Sequence, residues 1–271
     1  MIESFITPDS LFIRLANLDS WNLIFYRGFI PFVTVFVGLL LIYKTNFIKQ
    51  TLSNGWHGAA YALTFSITNI TFVISIENTN VANTLIMLAL APMISAILSF
   101  IFLKENPEKK TWIAIIITAL SVIYIFYDAM DSGDVLGNAL GLLTAFGLAV
   151  GAVIIRSAKK IDLVPSAMFG KLLVALVAFY FADNLILNDN DIKIVPLMCV
   201  MCVALPFVLV TIAPRYITAA EVNLFFLLET IFGPLWVWLV IKESPTTETI
   251  IGGIVIIITI AIHSTLSLKK I

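Results

Sequence analysis

The residues best suited to chemistry in this sequence are ionisable and aromatic side chains inside apolar segments. One segment places two carboxylates and two rings at i, i+4, i+8 and i+11, the spacing of a single helix face, at Glu221, Phe225, Glu229 and Phe232. An ionisable group inside an apolar helix is costly unless it is paired or wetted, so Glu229 is a candidate for binding a ligand or exchanging a proton. The alternatives are structural: Glu229 can pair with a neighbouring helix, and Glu221 can stabilise a helix N-terminus.

Three further ionisable residues fall in apolar segments. Asp9 follows Pro8, and a proline inside a helix removes a backbone hydrogen bond. This pair predicts either a hinge beside a carboxylate or, if the first helix is short, a carboxylate near a wet boundary. Arg27 and Lys171 lie at comparable depths in two other segments, and both can extend to lipid headgroups. The alternative for Arg27 is that it pairs with Asp9 or binds a carboxylate of a ligand.

The elements that must position these side chains are membrane-spanning helices. The 271 residues are 60% hydrophobic and 12% charged, with a mean hydropathy of +1.03, whereas soluble domains carry about 25% charged residues. Runs without Asp, Glu, Lys or Arg cover 78–103, 135–155, 194–214 and 249–268. Each reaches the roughly 20 residues that cross about 30 Å of hydrocarbon as a helix. We therefore expect an all-α integral membrane protein.

The hydropathy pattern predicts about ten transmembrane helices. They lie near 2–16, 21–43, 57–76, 80–103, 111–127, 137–156, 163–182, 194–214, 218–241 and 249–267. If the N-terminus is cytoplasmic, eleven Lys and Arg residues fall in inside loops and the C-terminal tail, and three fall in outside loops. Positive charge concentrates on the cytoplasmic side of membrane proteins. We expect a multi-pass protein of the bacterial cytoplasmic (inner) membrane with both termini cytoplasmic.

Several function classes find no support in the sequence. The net charge is −1 and no basic tract is present, so we expect no nucleic acid partner. No phosphate-binding Gly-rich loop, zinc-protease motif or nucleophile elbow occurs, which disfavours direct drive by ATP and an enzyme. Cys199 and Cys202 share a helical face but lack a third soft ligand. We expect neither a metal nor a cofactor.

The sixth predicted helix carries a stripe of small side chains. Gly137, Gly141, Ala145 and Ala149 recur every four residues. Small residues let helix backbones approach closely within a membrane. This face is therefore predicted to pack against another helix.

An internal repeat divides the chain into two halves. Residues 82–111 align without gaps with residues 220–249, and the identical pairs include Lys104/Lys242, Glu105/Glu243 and Pro107/Pro245. We assign the two five-helix halves to residues 1–128 and 135–268. Because five is odd, the second half should enter the membrane upside down. Inverted repeats are typical of secondary transporters, whose solute site lies near the midplane between the halves.

The repeat also predicts which faces line such a site. It superposes Asn83 on Glu221 and Met87 on Phe225. A cavity between these faces would have polar ends and an apolar, aromatic middle, which suits an amino acid or a related amphipathic solute. Asn69 and Asn83 can each line this cavity or bond between helices. The predicted substrate-binding residues are Asp9, Arg27, Asn69, Asn83, Met87, Glu221, Phe225 and Glu229.

The chain resembles the EamA-type family of the drug/metabolite transporter superfamily. In that family a helix of each half runs into a Lys/Gly-Glu-x-Pro turn, as at 104–107 and 242–245 here. Residues 228–235 (LETIFGPL) are similar to the family's Leu-Glu-Pro-x-x-Ala-Pro-Leu stretch, with Thr230 in place of its first proline. The resemblance covers nearly the whole chain and implies the fold. It does not imply a substrate, because the superfamily carries amino acids, sugars, nucleotide derivatives, cations and drugs.

One departure from the family concerns the first helix. Only about 13 residues precede Arg14, which corresponds to roughly 20 Å of helix. Family members usually begin with a full-length helix. We therefore expect a shortened first helix, unless the native start lies upstream of Met1.

These observations favour a secondary transporter of a small organic metabolite that works by alternating access, with efflux as one direction. Glu229 or Asp9 could couple proton movement to solute movement, although uniport or exchange is equally compatible. The alternatives are a lipid-linked carrier flippase and a non-transporting membrane assembly partner. The expected partners are a small-molecule substrate and membrane lipids, with the chain as a monomer or homodimer.

Overall fold

The described part of the chain is built of helices joined by short turns. The computed structural model describes the backbone of residues 8–44, 46–104, 106–158, 161–212 and 219–268, and their side chains except at 43, 50, 129–132, 219–228, 264 and 266–268. The helices are α1 (Asp9–Leu15), α2 (Ser20–Tyr43), α3 (Asn46–Ser53), α4 (Gly55–Asn78), α5 (Val81–Leu88), α6 (Ala91–Leu103), α7 (Lys109–Ser132), α8 (Val135–Ser157), α9 (Val164–Phe181), α10 (Asp191–Met198), α11 (Leu205–Ile212), α12 (Ala219–Ile241) and α13 (Thr247–Leu268).

Among the described residues, seven helical spans are long and apolar enough to cross a membrane. They are Ser20–Ile42, Gly55–Asn78, Val81–Leu103, Lys109–Asp128, Val135–Ser157, Val164–Phe181 and Asp191–Ile212. Such spans satisfy their backbone groups internally, as hydrocarbon requires, and many large apolar side chains face outward, including Leu41, Tyr127 and Tyr180. The protein is therefore a multi-pass membrane protein.

Seven of the ten predicted helices, the second to the eighth, coincide with these spans. The ninth and tenth contain the shorter apolar stretches Glu229–Ile241 and Thr247–His263. Of the first, the described part contains only the seven-residue helix α1, and residues 1–7 lie outside the described residues.

Two of the predicted helices are irregular. The fourth divides into α5 and α6 at residues 89–90, directly before Ala91 and Pro92, because proline lacks the N–H that would continue the ladder. The eighth contains a π-helical stretch at Cys199–Ala204 between α10 and α11. Pro206 follows this stretch, and its missing N–H leaves the carbonyl four residues earlier without its usual donor.

One helix was not predicted. α3 (Asn46–Ser53) lies where the sequence indicated a loop, and its Phe47 is buried with a relative exposure of 2%. The ring of Phe47 packs edge-on against Phe36 of α2, with 5.6 Å between the ring centres. A single aromatic anchor in a polar segment gives a weak hydropathy signal, so the sequence pattern did not reveal the helix.

The predicted small-residue stripe lies where α8 packs closely on α4. Gly137, Gly141, Ala145 and Ala149 are all buried. A Cβ atom on Gly137 would lie 2.5 Å from the carbonyl of Asn78, so only glycine permits this approach. Hydrogen bonds reinforce the contact, and the shortest is donated by the Ser75 hydroxyl to the carbonyl of Gly137 at 2.7 Å.

The lysines of the two repeated turns have similar φ angles. Lys104 has φ of 56° and Lys242 has φ of 59°, and both residues directly follow a helix. A residue in the left-handed region is a common way to end a helix, although glycine usually fills it. Lys44, outside the repeat, also has a positive φ of 53° directly after a helix, so the similar φ angles agree with the repeat but are not specific to it.

Candidate functional site

A buried ion pair joins α1 to α2. Arg27 donates from Nη1 to Oδ1 of Asp9 at 2.6 Å and from Nη2 to Oδ2 at 2.8 Å. Both residues have a relative exposure of 5%. Two parallel charge-assisted bonds of this kind fix orientation as well as adding energy. The guanidinium is held between helices, so extension to the headgroups does not describe Arg27.

Asp9 is the first residue of α1, and Pro8 precedes the helix. The hinge interpretation requires helix on both sides of Pro8, and its upstream part falls on residues 1–7, outside the described residues. The pairing interpretation of Arg27 agrees with the geometry. A direct contact of either residue with substrate stays a prediction.

A second buried cation lies on α9. Lys171 has a relative exposure of 0%, so it does not reach the headgroups either. Its ammonium donates to Oδ1 of Asn69 on α4. The rings of Phe65 and Phe207 lie with their centres 5.3 and 5.8 Å from Nζ, within the range of cation–π attraction.

The two cations belong to one neighbourhood. Lys171 lies within electrostatic reach of Arg27, Asp9 and Cys199. Next to the ion pair, Arg27 also approaches the sulfur of Met198 at 3.7 Å. The neighbourhood therefore combines two cations, one carboxylate and soft sulfur atoms between α1, α2, α9 and α10.

Both cysteines are buried and reduced. Among the described residues, no group of three His, Cys, Asp or Glu side chains could hold a metal ion. Within that part of the chain the structure offers no metal site.

Glu229 faces the same region from α12. Its side chain is partly buried and lies within electrostatic reach of Asp9 and Arg27. The next residue, Thr230, donates to the carbonyl of Leu85 on α5 at 3.3 Å, which seats α12 against the broken fourth helix. The structure thus brings Glu229, Asp9 and Arg27 together.

Asn83 and Met87 lie elsewhere, in packing contacts. Oδ1 of Asn83 accepts a hydrogen bond from the hydroxyl of Thr249 at 2.5 Å, and Nδ2 donates to the hydroxyl of Thr79 at 3.0 Å. Met87 has a relative exposure of 0% and belongs to an apolar cluster with Ile86. The alternative of bonding between helices therefore describes Asn83, and substrate contact for both stays a prediction. Glu221 and Phe225 belong to α12, and their side chains lie outside the described residues.

A second polar group, which we call the Glu243 network, ties three turns together at one end of the bundle. It comprises Arg14, Thr79, Val81 and Glu243. Nε of Arg14 lies 3.1 Å from Oε2 of Glu243, and Nη2 donates to the carbonyl of Thr79 at 2.7 Å. The backbone N–H of Val81 donates to Oε1 of Glu243 at 2.8 Å. The network links the first half of the chain to the second.

The sequence did not predict the contact between Lys171 and Asn69, and it did not predict a role for Glu243. For Glu243 a signal existed, because the Lys-Glu-x-Pro turn is repeated in both halves. For the Lys171–Asn69 contact no signal existed, since these residues are 102 positions apart and no local pattern shows that α4 and α9 are neighbours.

Comparison with known proteins agrees with the observed architecture. The model of the EamA-like transporter family matches residues 10–127 and 135–265. A protein named "Uncharacterized transporter" from Methanothermobacter thermautotrophicus (strain Delta H) is 24% identical over 199 residues, which cover 69% of this chain and 57% of that protein. The match thus spans little more than half the length of that relative.

A solved crystal structure has a similar fold. It superposes with a TM-score of 0.71 over 98% of this chain and 95% of the other, at 12% sequence identity. At this identity the likeness concerns the fold alone.

Proposed function

Because the chain belongs to the EamA-like transporter family, we propose that it is a secondary transporter that moves a small organic solute across a bacterial cytoplasmic membrane. In this proposal the halves 1–128 and 135–268 are inverted copies that rock about a site between them, which is alternating access. Both termini face the cytoplasm.

The observation that carries the proposal is the buried charged cluster formed by residues of both halves. Asp9, Arg27 and Asn69 come from the first half, and Lys171 and Glu229 from the second. Ionisable groups within membrane helices are rare and commonly mark solute or ion pathways. The rings of Phe65, Phe72 and Phe207 next to the cations support a solute that has both a charged and an apolar part.

A test of the inverted arrangement uses one pair of equivalent positions. Lys109 and Thr247 occupy aligned sites in the two repeats and are both exposed. In a protein without Cys199 and Cys202, we expect Lys109→Cys to react with an impermeant maleimide only after the cells are permeabilised. Thr247→Cys should react in intact cells. Labelling of both positions from the same side would disprove the inverted repeat, and with it alternating access as proposed.

Proton coupling is a separate part of the proposal and rests on Glu229. A solute is first identified by its thermal stabilisation of the protein, using a panel of amino acids and amphipathic metabolites. In proteoliposomes this solute should accumulate faster when a pH gradient is imposed. We expect Glu229→Gln to remove this response, because an amide cannot exchange a proton, while exchange of labelled for unlabelled solute continues.

Glu248→Gln is the matched control, since Glu248 lies in the first turn of α13, away from the cluster, and should leave the pH response unchanged. Asp9→Asn tests the second carboxylate. If uptake by both Glu229→Gln and Asp9→Asn still responds to the pH gradient as the wild type does, neither group couples protons, and uniport or exchange remains.

A further inference from the structure

Lys171 is a buried cation that forms no salt bridge with any described residue. Within that part of the chain, its ammonium makes one hydrogen bond, to the neutral amide of Asn69, and no salt bridge. An ammonium has three N–H donors, so two of them have no acceptor among the described residues. Arg27 differs, because Asp9 already neutralises it through two bonds.

A lone ammonium in this position is costly to the fold. Lysine is almost never fully buried unless it is paired. The free-energy cost of removing its charge from water is offset only when an opposite charge and full hydrogen bonding replace the solvent. The rings of Phe65 and Phe207 and one amide oxygen compensate for part of that loss. Asp9 is bonded to Arg27, and Glu229 lies within electrostatic reach of Asp9 and Arg27, so among the described residues no carboxylate is bonded to Lys171.

Lys171 lies part-way along its helix, away from both ends. Lys171 lies seven residues after the start of α9 at Val164, which is about 10 Å along a helix whose 18 residues extend roughly 27 Å. Its ammonium therefore lies at an intermediate depth of the membrane, between α4, α9 and the segment that carries Phe207.

Asn69 orients the site without competing for the anion. Its Nδ2 donates to the carbonyl of Phe65 at 2.7 Å, so its Oδ1 is held towards Lys171. This fixed amide directs one N–H of the ammonium and leaves the other two for a ligand.

We propose that Lys171, oriented by Asn69, binds the carboxylate of a solute whose apolar part packs on Phe65 and Phe207. The proposal rests on the transport function above and names its substrate class, a monocarboxylate with an apolar side chain. A single ammonium supplies one charge and the two N–H donors that no described residue accepts, which match one carboxylate. A phosphate dianion would need further cations. Arg27, which the sequence suggested for this role, is committed to Asp9.

The test compares acids with their neutral amides on the purified protein. Probe pairs are phenylacetate with phenylacetamide and isovalerate with isovaleramide, measured by calorimetry and by thermal shift. We expect the wild type to bind each acid at least about tenfold more tightly than its amide, since charge-assisted hydrogen bonds are roughly twice as strong as neutral ones. In Lys171→Met the acid and amide should bind equally, within about twofold.

Stability separates a binding role from a structural one. Lys171→Met removes an unpaired buried charge while keeping an unbranched side chain of similar length, so its melting temperature should equal or exceed that of the wild type. Lys193→Met is the matched control, because Lys193 is exposed at α10, and it should keep the acid preference.

Three results would overturn the proposal. The first is that Lys171→Met still prefers the acids to the amides. The second is that the wild type binds no acid at millimolar concentration. The third is that Lys171→Met has a lower melting temperature than the wild type and binds neither acids nor amides. Flux of the neutral amides in proteoliposomes, with no preference for acids, would reject the Lys171 site while leaving transport intact. Loss of the acid preference in Arg27→Gln but not in Lys171→Met would assign the carboxylate to Arg27.

Discussion

Arg27→Gln is expected to lower the free energy of unfolding by about 3–5 kcal/mol, the usual cost of removing one partner from a buried ion pair. The substitution leaves the Asp9 carboxylate buried, with a relative exposure of 5%, and without the two donors that now bind it. The desolvated charge then has no compensation. Denaturation of the purified protein in mixed micelles measures the difference.

The double variant Asp9→Asn/Arg27→Gln is the control for this prediction. It removes both charges together, so it should recover much of the stability lost in the single variant, and the two substitutions should be strongly non-additive. If the free energy of unfolding of the single variant Arg27→Gln lies within about 1 kcal/mol of the wild-type value, the pair is as weak as a surface salt bridge.

Gly137→Val is expected to destabilise the protein by about 3 kcal/mol or more, at or above the upper end for overpacking a well-packed site. The first carbon of the new side chain would lie 2.5 Å from the backbone carbonyl of Asn78 and 2.6 Å from Cβ of Thr79. Backbone atoms cannot rotate away, so α8 must shift from α4. The hydrogen bond from Ser75 to the carbonyl of Gly137 would then be strained or lost.

Gly38→Val provides the comparison, since a Cβ on Gly38 would meet no atom within 4 Å. It makes the same chemical change in α2 at an open position, and it should alter stability by less than about 0.5 kcal/mol. Thermal unfolding of both variants in detergent measures the contrast. Equal effects at the two positions would show that helix propensity, rather than the α4–α8 contact, determines the outcome.

Much of the fold could be predicted because the solvent is hydrocarbon. The hydropathy pattern predicted the second to eighth spans, and charge-free runs alone indicated the fourth, sixth and eighth of these. The division into two halves rests on the gap-free repeat with its Lys104 and Lys242 turns and stays a prediction. The break between α5 and α6 and the π-helical stretch at Cys199–Ala204 were not predicted. Proline was visible near both in the sequence, but whether a proline bends, divides or widens a helix depends on the neighbouring helices.

The site was partly predictable for a different reason. Ionisable residues in apolar spans are so few that naming Asp9 and Arg27 as possible partners needed no knowledge of the fold. Asn83 shares a predicted face with Met87, yet its amide bonds to Thr249 on α13, a contact 166 residues away that no local pattern shows. Helical periodicity indicates which residues share a face, and tertiary packing decides what that face touches.

The Glu243 network has a consequence for how one end of the bundle can open. The carboxylate of Glu243 forms an ion pair with Arg14, at the end of α1, and accepts a hydrogen bond from the backbone N–H of Val81, at the start of α5. Neither of these segments can part from the turn before α13 without breaking a bond to the same group. Under the alternating access proposed above, separation at this end would be cooperative. A half-open intermediate that leaks ions or water would be disfavoured, because Glu243 would have lost some of its bonding partners.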